Sequence, residues 1–188
     1  DLLDFSKLEA GKLPIESVPF SLENIIIEAG NAVKQQFPQK AVDLKFSISQ
    51  EIKSKIFESD PLRIRQIINN LVGNAFKFTE NGSVEIKVEE LEKFDKISKI
   101  KISVIDTGIG ISEEKQQLIF NEFTQAETEI AHKFGGSGLG LAISKKLTEL
   151  LGGSLKVESV LGEGSNFILI LPLKNSDRIL TKTIPKEH

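Results

Sequence analysis

Four polar residues, Gln66, Asn70, Asn74 and Lys77, stand at steps of four, four and three. On an α-helix that spacing aligns them along one face. Asparagine is a poor helix former, because its short amide competes for backbone hydrogen bonds. Two of them beside a lysine on one stripe point to a ligand. Amide oxygens can reach a Mg2+ ion or its waters, and an ammonium can reach a phosphate. A polar face turned to solvent fits the same residues equally well.

An acidic turn is the second candidate. The strand-like run 102–105 delivers Asp106-Thr107-Gly108-Ile109-Gly110-Ile111. A carboxylate at the end of a buried strand only accepts hydrogen bonds, which suits an amine donor such as the exocyclic group of adenine. Gly108 and Gly110 would let the backbone approach a flat base closely. A simple aspartate-capped turn remains the alternative.

The third candidate is Gly135-Gly136-Ser137-Gly138-Leu139-Gly140-Leu141, which runs into a helical pattern over 139–151. Glycines at a helix start expose backbone N–H groups to an anion such as phosphate. The loop is not a dinucleotide-binding fingerprint, since Leu141 stands at the third glycine position and no strand precedes it. Nor is it a Walker loop, because the sequence has no Gly-Lys-Ser or Gly-Lys-Thr. A flexible linker is its plain alternative.

The elements around these residues can be read from their punctuation. Asp60-Pro61 places a capping carboxylate and an N1 proline before a core stripe of Ile64, Ile67, Ile68, Leu71, Ala75 and Phe78. This predicts a helix over 60–78 that stops at a turn, Asn81-Gly82. Ser21 caps a helix to about Lys34. Segments 42–48, 54–58, 154–160 and 165–172 alternate like strands, and 83–91 with 99–105 reads as a hairpin with a polar connection over 94–98. A short helix follows Ser112, and Phe120 with Phe123 reads as a pair of core anchors. The stretch from about 124 to 138 lacks periodicity and carries His132 and Lys133, which suits a lid. The tail 174–188 reads as polar and loose.

Composition narrows the function classes. The 188 residues are 39% hydrophobic and 27% charged, enough for one well-packed α/β domain. A net charge of −3 gives no general attraction for nucleic acid or anionic membrane. The sequence has no cysteine, and its two histidines, His132 and His188, make no metal cluster. The longest apolar run, 167–171, is far below the ~20 residues of a membrane helix. A soluble, cytoplasmic piece without membrane contact is expected, whether or not its parent is membrane-anchored.

In order and spacing the motifs resemble the catalytic, ATP-binding domain of sensor histidine kinases. That domain shares its Bergerat-type nucleotide fold with type II topoisomerases, mismatch-repair ATPases and heat-shock chaperones. Asn70-Leu71-Val72-Gly73-Asn74-Ala75-Phe76-Lys77-Phe78-Thr79 looks like its asparagine box, and Asp106-Thr107-Gly108-Ile109-Gly110 like its first glycine box. Phe120-Asn121-Glu122-Phe123 looks like its phenylalanine box, and Gly136-Ser137-Gly138-Leu139-Gly140-Leu141 like its second glycine box. Residues 1–12 look like the end of the dimerisation hairpin, 13–173 like the catalytic domain, and 174–188 like a tail.

The resemblance implies a two-layer α/β sandwich, with a mixed sheet of about five strands backed by three helices. ATP would lie between the helix 60–78 and the lid. Asp106 would bind the adenine amine beside Gly108 and Gly110, Asn74 would bind Mg2+, and Phe78 would line the pocket. Asn70 and Lys77 would support the phosphate side. Lys133, Gly136, Ser137, Gly138, Leu139 and Gly140 would form the lid and phosphate cradle. Hydrolytic members carry a glutamate where Asn70 stands, and an amide cannot deprotonate water. A kinase is therefore expected over an ATPase, with a non-catalytic nucleotide-binding or partner-docking module as the alternative. The implied partners are the parent's phosphoacceptor hairpin and a response-regulator receiver domain, and the piece alone is expected to be a monomer. Two departures stand out. His132 occupies a lid position where many relatives have arginine, and the acceptor histidine would lie upstream of residue 1.

Overall fold

Strict alternation places Val84, Ile86 and Val88 on one side of a strand, and Ile100, Ile102 and Val104 on the matching side of the next. All six are fully buried, so this face must be covered by other elements. The computed structural model, which describes residues 2–121 and 138–177, shows what covers it. In chain order the elements are α1 (Leu2–Glu9), β1 (Val18–Ser21), α2 (Leu22–Lys34), β2 (Ala41–Ile48), β3 (Ile56–Ser59) and α3 (Pro61–Phe78). There follow β4 (Asn81–Phe94), β5 (Ile97–Asp106), α4 (Glu113–Gln116), α5 (Gly140–Leu150), β6 (Ser154–Val160) and β7 (Gly164–Asn175).

One mixed sheet runs β1-β3-β7-β5-β4-β2, with β6 also paired to β7. Among the described residues β2 and β4 pair in parallel, and every other pair is antiparallel. The long strand β7 makes this order possible. Its first half lies between β5 and β6, and its end reaches β3 at Phe57 and Glu58. Helices α2, α3 and α5 contribute Ile26, Ile68, Leu71 and Leu147, among others, to one core with β4, β5 and β7.

The expected two-layer sandwich with three backing helices is therefore present, but its sheet has seven strands rather than about five. Six of the seven match segments that alternate in the sequence; the seventh, β1, has four residues, one of them proline, too few for alternation to register. It lies at the sheet edge, where a residue lacking an N–H is tolerated.

Local chemistry explains the helix ends. Ser21 Oγ accepts the Asn24 N–H at 3.2 Å, and Asp60 Oδ1 accepts the Arg63 N–H at 3.1 Å. Asp60 uses its other oxygen for the Glu16 N–H at 3.1 Å, tying the entry of β1 to the start of α3. Gly11, at φ +62°, closes α1.

Three boundaries differ from the sequence expectation. Asn81-Gly82 is no turn. Both residues already pair with Ala41 and Val42, because α3 ends at Phe78 and the chain reverses at Thr79 and Glu80. The hairpin connection narrows to Asp95 and Lys96, with Asp95 left-handed at φ +53°. The C-terminal strand continues to Asn175, whose N–H donates to Lys96 O at 2.7 Å.

Ile68 sits at the centre of this packing, fully buried on α3. Ile68→Ala should cost about 2–5 kcal/mol, through lost transfer energy plus the cavity left behind. Equilibrium urea unfolding should show a lower midpoint at unchanged slope.

Candidate functional site

The acidic turn forms where β5 runs out between its two neighbours. Asp106 is the last residue of β5, opposite Val84 on β4 and Ser165 on β7, and is only 7% exposed. Its carboxylate accepts the Gly108 N–H at 2.8 Å and a further backbone hydrogen bond from Ser165. Burial nevertheless dominates and holds the carboxyl above the ordinary aspartate pKa.

The turn is locked to its surroundings. Ile109 N–H donates to Phe78 O at 3.2 Å, Gly162 N–H to Ile109 O at 2.7 Å, and Ile111 N–H to Ser159 Oγ at 2.8 Å. Thr107 exchanges hydrogen bonds with Ser83. The two glycines meet different demands. A Cβ at Gly108 would lie 2.4 Å from Phe78 O, so the close approach to α3 requires its absence. At Gly110 the backbone is left-handed, φ +67°, and a Cβ would meet Val160 O at 2.0 Å.

Helix α3 carries the amide stripe past this turn. Asn70, Asn74, Lys77 and Phe78 are all half-buried. The Lys77 ammonium lies 5.2 Å from the Phe78 ring centroid, and burial lowers its pKa. Asn70 Nδ2 donates to Ser144 Oγ on α5 at 2.9 Å. A Cβ at Gly140 would fall 2.4 Å from Asn70 Oδ1, so α5 starts directly against this amide.

Among the described residues no side chain caps the start of α5, where backbone N–H groups could meet an anion. Gly138 is left-handed at φ +71°. Leu139 is 3% exposed and part of the core, so its side chain anchors the helix rather than facing a ligand. Lys133, Gly136 and Ser137, together with His132 and Phe123, lie outside the described residues. Phe120 packs edge-on against Phe167 at 6.3 Å, as expected of a core anchor.

Thus Asp106, Gly108 and Phe78 converge at one end of α3, and Asn70 and Gly140 meet about two turns earlier. Asn74 lies between these points. Two residues at the acidic end had no role assigned from sequence. Ser165 is 8% exposed and sits beside Asp106 in register. Thr79 is fully buried, and its hydroxyl has no hydrogen-bond partner among the described residues. A Cβ at Gly108 would lie 2.8 Å from that hydroxyl, so it borders the turn. An orphan hydroxyl beside a buried carboxylate is unusual for a purely structural turn. The threonine was marked only as the last residue of the asparagine-box resemblance, with no role assigned to it.

Comparison with known proteins bears on the family and the fold. Residues 59–175 match the family model described as Histidine kinase-, DNA gyrase B-, and HSP90-like ATPase. The chain is 43% identical over 167 residues to the signal transduction histidine-protein kinase BarA of Escherichia coli K12, covering 89% of this chain and 18% of BarA. It is 37% identical to the sensor protein GacS of Pseudomonas syringae, covering 98% of this chain and 20% of GacS. The chain thus spans about a fifth of these relatives. Among solved structures, full-length ShkA in complex with AMPPNP superposes with a TM-score of 0.80 at 28% identity, covering 95% of this chain and 36% of ShkA. The catalytic domain of histidine kinase ThkA superposes with a TM-score of 0.68 at 31% identity, covering 84% of this chain and 95% of that domain. The chain belongs to the Histidine kinase-, DNA gyrase B-, and HSP90-like ATPase family, as an ATP-binding catalytic domain of the sensor histidine kinase type.

Proposed function

We propose that this chain passes the γ-phosphoryl group of ATP to a histidine on a separate helical hairpin, for onward transfer to a response-regulator aspartate. One observation carries the reading: a buried carboxylate at one end of α3 and the start of another helix against its middle, joined by an amide stripe. Asp106 accepts from the adenine amine, the first turn of α5 with Gly138 and Gly140 faces phosphate, and Lys77 adds charge. Phe78 lines the pocket between them. Lys133, Gly136 and Ser137 belong to the same proposed cradle.

Asn74 offers a neutral amide oxygen, so Mg2+ would be held chiefly by phosphates and water, where it would neutralise developing charge. Among the described residues no cluster of His, Cys, Asp or Glu competes for it. Asn70 is a strut between α3 and α5, with its amide nitrogen committed to Ser144. It cannot take a proton from water. Transfer to an imidazole needs no such base, because the acceptor nitrogen brings its own lone pair. Positioning and charge neutralisation suffice.

Residues 1–12 read as the end of that hairpin, joined here to α5 by the Glu9–Lys146 ion pair. Among the described residues no helix is long and apolar enough to cross a membrane. A receiver domain is the downstream partner of the transferred group, and the chain alone is expected to be monomeric.

Replacing Asp106 by Asn puts a donor where the adenine amine needs an acceptor. ADP affinity should fall about tenfold, the worth of one charge-assisted hydrogen bond. Unchanged affinity by calorimetry would remove the base from this position.

The raised carboxyl pKa gives a pH signature with two opposite slopes. The folded chain holds the Asp106 proton more tightly than the unfolded chain. Its contribution to stability is therefore full below the ordinary value of about 3.9 and is lost as pH rises through the folded value. ADP binding needs the ionised form and weakens as pH falls through that same folded value. Calorimetry and urea unfolding across the acidic range should show both slopes, and Asp106→Asn should flatten both.

With radiolabelled ATP the isolated chain should not label itself, yet should label a supplied hairpin with an acid-labile phosphate. A rigidly held acceptor gains roughly 7–11 kcal/mol that a loose one lacks. Rapid hydrolysis of ATP without any hairpin would favour an ATPase instead.

A further inference from the structure

The last turn of a helix leaves carbonyl oxygens without intrahelical partners, and a buried end must find them elsewhere. At the end of α3 a lysine from the loop before β2 supplies them. Lys40 Nζ donates to Phe76 O at 2.8 Å, Lys77 O at 2.8 Å and Thr79 O at 3.1 Å, with Glu80 Oε1 at 3.5 Å. Its side chain is 9% exposed, while that of Glu80 is 57% exposed, so the carbonyls rather than the carboxylate define the site.

The lysine is held in place before it meets the helix. Its own N–H closes a turn onto Phe37 O at 3.1 Å, and its ammonium lies 5.7 Å from the Phe37 ring. That ring stacks on Phe76 at 5.7 Å and 16°. A positive charge at a helix C-terminus also opposes the helix dipole. Lys40 and Lys77 then line the same open cleft with Phe37 and Asn81.

We infer that Lys40 is a positioning residue for nucleotide binding, fixing the terminal turn of α3 so that Lys77 and Phe78 face the ligand. Resting on the proposed placement of ATP along α3, this adds a member from outside every motif. The three carbonyls grip the ammonium as they would a free cation. Lys40→Ala should open a cage that an exogenous amine of the missing length can refill.

The test compares ADP titrations of wild type, Lys40→Ala, Lys40→Met, Glu80→Gln and Ile68→Ala. Ile68→Ala sets the baseline for a loss of stability remote from the helix end, and should bind ADP as wild type does. Both Lys40 variants should bind about tenfold more weakly, since a charged donor to several carbonyls is lost. Glu80→Gln should bind normally. Millimolar n-propylammonium should restore Lys40→Ala, whereas n-butanol should not, and neither should change wild type. A folded Lys40→Met with wild-type affinity would overturn the inference, as would amine that stabilises Lys40→Ala without restoring binding. Failure of both Lys40 variants to fold would also overturn it, by making Lys40 a residue of the fold alone. Wild type that does not bind ADP would instead refute the nucleotide placement.

Discussion

The backbone carbonyls at the end of α3 have to be satisfied inside the protein, and the site depends on how this is done. Four consecutive carbonyls, from Phe76 to Thr79, are taken by two outside donors. Lys40 holds three and the Ile109 N–H holds that of Phe78. The first donor enters from the start of β2 and the second leaves the end of β5. The helix end is thereby clamped to the sheet at two strands, the edge strand β2 and the inner strand β5, next to Lys77 and Phe78. A gap of an ångström in either clamp would cost a buried polar group its partner, on the order of 1–3 kcal/mol.

The same corner carries the electrostatic strain. Burial raises the pKa of Asp106 and lowers that of Lys77, so each charge is held where its charged form is disfavoured. Such pairs occur where ligands are bound, because a partner group on the ligand recovers the cost. The orphan Thr79 hydroxyl fits the same pattern.

Asn70 shows how a motif residue can serve two ends. Its stripe position suggests a phosphate contact, but its amide is bonded to Ser144 and pressed against Gly140. It couples α3 to α5, the helix whose start would meet phosphate. Movement of one helix is therefore felt by the other, which places the hydrolytic family's glutamate position inside a structural joint.

Much was legible from residue types alone. Asp60-Pro61 fixed where α3 begins, periodicity fixed its buried face, and Asp106 to Gly110 marked a close backbone approach. These are local properties: a cap, a stripe and a missing Cβ act over one or two turns of chain. The edge strand β1 and the span of β7 from β6 to β3 were not legible, because short or shared strands are defined by partners far away in sequence. Lys40 was equally silent. Nothing near it distinguishes one lysine among the chain's 24 Lys and Arg residues, and its role exists only once Phe76 to Thr79 arrive beside it. The sequence by itself determined which residues could do the chemistry. Tertiary structure decided which buried oxygens and charges needed a partner, because that debt arises only when solvent is removed.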